Sequence, residues 1–339
     1  MSGQPRVLLI RPLLTLAASA LVLVGGLSLL GTIHWTFELL SHFRLFYIGA
    51  GFVIAVLAAV FGSRPAAALA AAMTLIQLAA AWPYVVTQPQ ARSTPPGPTV
   101  RIVWANLHSW HTDLAALKAL VETEKPDVAI FTELAVSQGR IFRELRPILP
   151  FQSTLPDNGN PREMILLSTR PPVSLAFDYS VEPGTPLLVA QLCPVDGFCF
   201  TLLGLHAARP IPEGAAVRDR EFSHAAAVAR RYIERGDRVI LVGDLNVTPF
   251  SPAFSHLLAE SGLVDAAIAP SQRPHVPEAT WGPQSRPLPG FAIDHALLGP
   301  GLDLVELRIG MPIDSDHLPL VLDVKPGVLD VKAGPKTGR

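Results

Sequence analysis

Three apolar stretches crowd the N-terminal part of the chain, roughly Pro12–Ile33, Leu45–Ser63 and Pro65–Val86, and none carries a charged side chain. A segment must supply ~20 apolar residues to cross the hydrocarbon core of a bilayer, and each stretch reaches that length. Trp35, Tyr47, Trp82 and Tyr84 lie near the ends, where amphipathic rings prefer the membrane–water boundary. The spacing predicts a membrane anchor over residues 1–86, built from three transmembrane helices at about 12–33, 45–63 and 65–86. A signal peptide followed by buried core helices accounts only for the first stretch. Arg6, Arg11 and Arg64 fall on one side of such an anchor and Arg44 and Arg92 on the other. This three-to-two bias favours a cytoplasmic N-terminus and a C-terminal domain outside the cytoplasm.

The remainder has a different composition. Residues 1–99 hold five basic and one acidic side chain, whereas residues 100–339 hold 22 basic and 27 acidic, a formal charge of −5. About 240 residues suit one large domain with a substantial core. Its negative balance excludes a general attraction for polyanions, while a local basic patch remains compatible with it. Thr87–Thr99 is proline-rich and reads as an extended linker. Leu322-Asp323-Val324-Lys325 recurs as Leu329-Asp330-Val331-Lys332; with polar, glycine-containing surroundings, residues 326–339 read as a flexible tail.

Between linker and tail the pattern is of short apolar strands with occasional helices. Strands are expected at Val100–Ala105, Val128–Phe131, Met164–Ser168, Leu187–Leu192, Phe198–Leu205, Arg238–Val242, Ala292–Leu298, Leu304–Ile309 and Leu320–Val324. Asp113 and Ser251 can cap helices, and Ala215–Arg235 is amphipathic, with Phe222, Val228, Tyr232 and Ile233 inward. Strands adjacent in sequence and bridged by few helices imply a mixed α/β sandwich. The two cysteines, Cys193 and Cys199, flank Val195-Asp196-Gly197. A three-residue hairpin loop there sets them opposite each other, where they can form a disulfide in an oxidising compartment; two unrelated buried thiols are the alternative.

Polar side chains recur where these strands run out. Asn106 follows Arg101–Ala105, Glu133 follows Val128–Thr132, and His206 follows Phe200–Leu205. Asp244 and Asn246 follow Val239–Gly243, Asp294 and His295 interrupt an apolar run, and Asp316 and His317 precede Leu318-Pro319-Leu320. One such residue usually makes a turn or a satisfied core contact. Six sites sharing one pattern point instead to metal-assisted hydrolysis of a phosphoester. Mg²⁺ takes oxygen ligands, which Glu133 with Asp316 or Asn106 can supply; the absence of cysteine ligands and of a His-x-x-x-His spacing argues against zinc. Asp294 can orient and charge His317, Asp244 can take a proton from attacking water, and Asn246 can hold water or phosphate in line.

The motifs Trp104-Ala105-Asn106, Phe131-Thr132-Glu133-Leu134, Leu205-His206, Gly243-Asp244-Leu245-Asn246, Ile293-Asp294-His295 and Ser315-Asp316-His317-Leu318-Pro319 occur in this order. Together they resemble the endonuclease/exonuclease/phosphatase superfamily over roughly residues 100–325. That resemblance implies a deoxyribonuclease I-like, four-layer α/β sandwich with two packed mixed β-sheets, here preceded by the three transmembrane helices. It implies a divalent metal, Mg²⁺ or Mn²⁺, with Asn106, Glu133 and the adjoining Asp316 at the metal site. It implies His206, Asp244, Asn246, Asp294 and His317 as catalytic residues, and leaves His295 to packing or solvent. Phe131-Thr132-Glu133 departs from the commoner Leu-Gln-Glu, and Asp314 stands where glycine often precedes Ser-Asp-His. Another departure is the stretch Asn158–Ile165, where a glycine-containing segment usually precedes the central strand. Thr248–Pro252 and Thr280-Trp281 are similar to a bacterial membrane-anchored branch, which implies a multi-pass inner-membrane protein with a periplasmic catalytic domain. The expected partners are a phosphoester (nucleic acid, nucleotide or phospholipid head group) and the bilayer; nothing in the sequence identifies a protein partner. A catalytically inactive, membrane-tethered binding or scaffolding domain is the alternative, against which stands the intact set Glu133, Asp244, Asn246, Asp294 and His317.

Overall fold

The computed structural model describes residues 4–85, 97–108, 112–134, 139–154, 163–268, 277–282 and 290–327. Most of the expected linker and tail, and of the glycine-containing stretch before residue 163, lies outside them. The N-terminal part is helical: α1 (Gln4–Leu27), α2 (Trp35–Ser41), α3 (Arg44–Val60), α4 (Arg64–Ala80) and the short α5 (Trp82–Val85). Small residues let the helices approach closely. At Gly51 of α3 an added Cβ would come 2.2 Å from Thr74 Oγ1 of α4. Arg44 donates to Gln77 Oε1 at 2.8 Å, and Gln77 Nε2 donates to Gly25 O at 2.9 Å, so one polar chain ties α1, α3 and α4.

The expectation of three spans is corrected here. Among the described residues only Ile10–Leu30 is by itself a helix long and apolar enough to cross a membrane. α2 and α3 pass that test only as a pair, bent by 59°, and α4 is shorter. A 17-residue helix rises only about 25 Å, short of a hydrocarbon core of about 30 Å. The breaks have local causes. Gly62 turns the chain with φ +76° between α3 and α4, and Pro65 fits only the first turn of α4.

Among the described residues twelve strands follow. In chain order they are β1 (Val100–Asn106), β2 (Val128–Thr132), β3 (Phe151–Gln152), β4 (Met164–Ser168), β5 (Ser174–Glu182) and β6 (Thr185–Val195). Then come β7 (Phe198–His206), β8 (Val239–Asp244), β9 (Val264–Asp265), β10 (Asp294–Leu298), β11 (Leu302–Ile309) and β12 (Leu320–Pro326). They form two six-stranded mixed sheets, ordered β11-β12-β1-β2-β4-β3 and β5-β6-β7-β8-β10-β9. Among the described residues only β1–β2 and β7–β8 pair in parallel. Four helices accompany the sheets: α6 (Leu114–Glu124), α7 (Gly139–Glu144), α8 (Pro212–Glu234) and α9 (Pro252–Ser261).

Alternation along each strand builds the layers. On β1, Ile102 and Trp104 point between the sheets with Ile130, Leu166, Leu202, Val242 and Leu322. Val103 and Ala105 point outward, against Leu117 and Leu120 of α6 and Phe142 of α7. Phe222 and Ala226 of α8 and Phe254 of α9 cover the outer face of the second sheet. The result is a four-layer α/β/β/α sandwich. Asp113 and Ser251 cap α6 and α9 by accepting from Ala115 N and Ala253 N.

Two details differ from the sequence reading. β5 is an unforeseen edge strand, half-exposed, with Leu175 and Phe177 packed on the core. The β6–β7 hairpin closes with Val195 opposite Phe198, leaving a two-residue Asp196-Gly197 turn with Gly197 at φ +75° rather than a three-residue loop. Cys193 and Cys199 are disulfide-linked across this hairpin.

Candidate active site

The strand ends of both sheets converge at one end of the sandwich. The register brings the groups together: Asp294 on β10 lies opposite Asp244 on β8, and Asp244 lies opposite His206 on β7. In the other sheet Asn106 ends β1 beside Thr132 of β2, and Glu133 follows directly.

Asn106 Nδ2 is the hub between the sheets. It donates to Glu133 Oε1 at 3.0 Å and to Asp244 Oδ2 at 3.1 Å, and stands 3.4 Å from His317 Nε2. Its Oδ1 accepts from the His108 amide at 2.9 Å, which fixes the orientation of the side-chain amide. His206 Nε2 lies 3.4 Å from Asp244 Oδ2 and 3.7 Å from Glu133 Oε1. His317 Nδ1 contacts Asp294 Oδ2 at 2.8 Å, and its Nε2 faces Asp244 Oδ2 at 3.6 Å. Asn246 donates to Ala207 O at 2.9 Å, and its backbone amide donates to Asp244 Oδ1.

Burial sets the charge states. Removal from water pushes Asp244 up to about 7 against the pull of His317, and the neighbouring Asp294 carboxylate adds to the rise. Burial alone would lower His317, but the Asp294 and Asp244 carboxylates outweigh it and hold the ring cationic, at about 10. Burial likewise raises Asp294, yet the His317 cation and hydrogen bonds from His317, Thr280 and Trp104 keep it below the usual carboxylate range. His317 is therefore a standing cation whose Nε2 proton is aimed into the site.

Two sets of ligand atoms could hold a metal ion: Glu133, His206 and Asp244, and Asp244, Asp294 and His317, each set lying within 4.8 Å. A hard divalent cation suits the carboxylates at Glu133 and Asp244. The second set already has a cation in His317, which leaves the Glu133 side as the better seat. Of the residues expected at the metal, Glu133 is in this set, while Asn106 presents its donor nitrogen to it. Asp316 turns elsewhere: its Oδ2 accepts from Trp281 Nε1 at 3.0 Å and its Oδ1 lies 3.1 Å from His108 Nδ1. His295 packs away from the site, with Nε2 at 2.8 Å from Val247 O and its ring 4.4 Å from that of Phe254.

Sequence reasoning assigned no part to several supporting residues. Trp104 Nε1 donates to Asp294 Oδ1 at 2.8 Å, Thr132 Oγ1 contacts His206 Nδ1 at 3.1 Å, and Ser315 Oγ donates to Asn106 O at 2.8 Å. The signal was adjacency, since each lies within two residues of a predicted site residue. The backbone is also unusual here. Glu133, Asn246 and Asp314 all adopt positive φ, at 54°, 55° and 61°, which explains why glycine suits the position of Asp314.

The N-terminal helices reach this end of the sandwich. Thr248, two residues after Asn246, donates its amide to His42 Nδ1 at 3.2 Å, and its hydroxyl lies 2.9 Å from the same atom. Glu38 of α2 accepts from Ser251 and pairs with the buried Arg218 of α8 at 2.8 Å. Tyr84 donates to Asp265 Oδ2 at 3.2 Å and packs edge-on against Phe250.

A sequence model of the endonuclease/exonuclease/phosphatase family matches residues 103–317. Among similar solved structures is an endonuclease/exonuclease/phosphatase from Beutenbergia cavernae DSM 12333, at 20% identity and TM-score 0.51, covering 68% of this chain and 72% of that one. The 3′ phosphatase NExo from Neisseria, bound to a product DNA hairpin, aligns at 17% identity and TM-score 0.55, covering 66% and 98%. D. rerio TDP2 complexed with a single-stranded DNA product aligns at 16% identity and TM-score 0.53, covering 67% and 99%. At such identities the likeness is one of fold. No curated protein matches the chain. The family match over most of the sandwich, with the converged carboxylates and imidazoles, leads to one conclusion: the chain belongs to the endonuclease/exonuclease/phosphatase family and is a metal-dependent hydrolase acting on ester bonds.

Proposed function

We propose that the chain is a membrane-anchored, Mg²⁺-dependent phosphodiesterase or phosphatase that cleaves a nucleic-acid, nucleotide or phospholipid-type ester by in-line attack of water. The observation that carries this reading is the buried cluster in which Asn106 donates to Glu133 and Asp244 beside His317, which Asp294 holds charged. In the proposed division, residues 1–86 anchor the chain, 87–99 link, 100–325 carry the reaction and 326–339 trail. Glu133 supplies the carboxylate of the metal side, with Asn106 adjoining; Asp316, held by Trp281 and beside His108, would have to turn from them to join it. A divalent cation held there would supply charge neutralisation for the phosphate oxygens and the leaving oxygen.

The chain's own groups do the rest. Asp244, poised near neutrality by burial, takes the proton of the attacking water. Asn246, whose Nδ2 is engaged by Ala207 O, keeps its amide oxygen for that water. His317 and His206 donate to the phosphate oxygens. α1 and the bent α2–α3 pair supply apolar length for anchoring in a bacterial inner membrane; two crossings would return the chain to the side of its N-terminus, so a periplasmic sandwich is proposed from the disulfide and not from the count of spans. The disulfide accords with that oxidising compartment.

Hydrolysis of bis-p-nitrophenyl phosphate by the full chain tests the reading. Turnover should need Mg²⁺, vanish on chelation and return on adding Mg²⁺ or Mn²⁺. His317→Ala and Asp244→Asn should each lower it by about 10²–10⁴-fold with the fold intact by circular dichroism. Equal turnover with and without chelator would leave the binding-domain alternative standing.

A further inference from the structure

An aromatic track leads from the helices to the site. Phe43 and Phe46, at the start of α3, are 41% and 38% exposed. Both rings meet that of Phe291, at 5.2 and 6.1 Å between centroids. Phe291 in turn stacks on Trp281 at 6.1 Å. The chain is built to bring these two rings together: Phe291 N donates to Trp281 O at 2.8 Å, and a Cβ on Gly290 would come 2.2 Å from that oxygen.

Trp281 is 38% exposed, yet it is fixed to the site. It forms a bridge with His317, and its ring nitrogen is held by Asp316 at 3.0 Å. At its other end the track joins the outer face of α3. Helical spacing puts Val53, Leu57 and Val60 on the same side as Phe46, and all three are exposed. An apolar surface thus runs from a helix with membrane character to Trp281, whose ring nitrogen meets the Asp316 carboxylate at the mouth of the phosphoester site.

We propose that the substrate is a membrane phospholipid, whose phosphoester docks against the open side of the His317–Asp244 pair while its apolar part lies along Phe43, Phe46, Phe291 and Trp281. This rests on the phosphoesterase reading above. Water adds to phosphorus as one P–O ester bond breaks; Asp244 takes the water's proton and later releases it to solvent, while the departing alkoxide takes a proton from solvent. A phosphodiester therefore yields an alcohol and a phosphate monoester. The negative charge of residues 100–339 weighs against the other ligand that could stack on such rings, a single-stranded nucleic acid.

The test uses the full chain in vesicles of phosphatidylethanolamine and phosphatidylglycerol with Mg²⁺. Three substrates are offered: the vesicle lipid itself, bis-p-nitrophenyl phosphate and a single-stranded oligonucleotide. Lipid should be cleaved, and Phe46→Ser should reduce its turnover about tenfold, the scale of one ring's lost apolar contact, while bis-p-nitrophenyl phosphate turnover holds. Phe46→Leu, which keeps the apolar surface, should restore most of the lipid turnover. Loss of activity on all three substrates in the unaltered chain would remove the phosphoesterase reading itself. Cleavage of the soluble diester without lipid cleavage overturns this proposal alone. So does an oligonucleotide preference that falls with Phe46→Ser, or a lipid rate indifferent to that change. If Phe46→Ser depresses the soluble reaction too, a Phe46→Leu variant equally impaired on lipid but not on the diester also overturns it.

Discussion

At the residue scale the site is a problem of placing three carboxylates in a small dry volume. Asp294 stays ionised because His317, Trp104 and Thr280 surround it with donors. Asp244 has the weaker set of partners and is pushed up to about 7. A general base works only when deprotonated, so activity should be present above that value and lost as pH falls through it. A pH–rate profile of kcat/KM should therefore show an acid limb near neutrality; a profile flat through mildly acidic pH would contradict the assignment of Asp244. The acidic and imidazole residues themselves were legible in the sequence, because each stands where an apolar run ends. Their supports were not. Trp104 reads as an ordinary core residue of β1, and only the approach of the two sheets puts its indole N–H on a carboxylate 190 residues away.

At the element scale, strands buried on both faces were the easiest to read. Met164–Ser168 matches β4 residue for residue, because an unbroken apolar run between turn residues has few other fates. β5 was missed because Ser174–Glu182 alternates weakly and lies at a sheet edge, where half its side chains face water. The helices were legible as apolar but not as elements. Composition alone does not reveal that Leu45–Ser63 begins at a bend, or that α2 turns Glu38 inward. That short helix has a measurable role: Glu38 is the buried partner of Arg218 and accepts from the cap of α9. Glu38→Ala takes the buried carboxylate from Arg218 and leaves the more exposed Asp219 as its partner, and should destabilise the fold by roughly 1.5–3 kcal/mol. A thermal melt in detergent measures this, and an unchanged midpoint would show that the pair contributes nothing.

At the scale of the whole molecule, the boundary between the N-terminal helices and the sandwich is a packed interface. The composition shift near residue 99 suggested two independent parts, yet His42, Glu38 and Tyr84 all bond to the sandwich. Their partners Thr248 and Ser251 lie on the segment that follows Asn246. A protein comprising residues 100–339 alone should therefore expose the faces of Phe250 and Phe291 and associate on size-exclusion chromatography. It should also hydrolyse bis-p-nitrophenyl phosphate more slowly than the full chain. A monomeric fragment of full activity would reduce the helices to a tether. Pairing of β10 with β8 carries a last consequence. The register that sets Asp294 opposite Asp244 has a period of two, so a slip of one position sends the carboxylate to the outer face and brings an imidazole or an isoleucine in its place. Misfolded copies are then silent rather than promiscuous, so hydrolysis begins only in chains whose folding is correct.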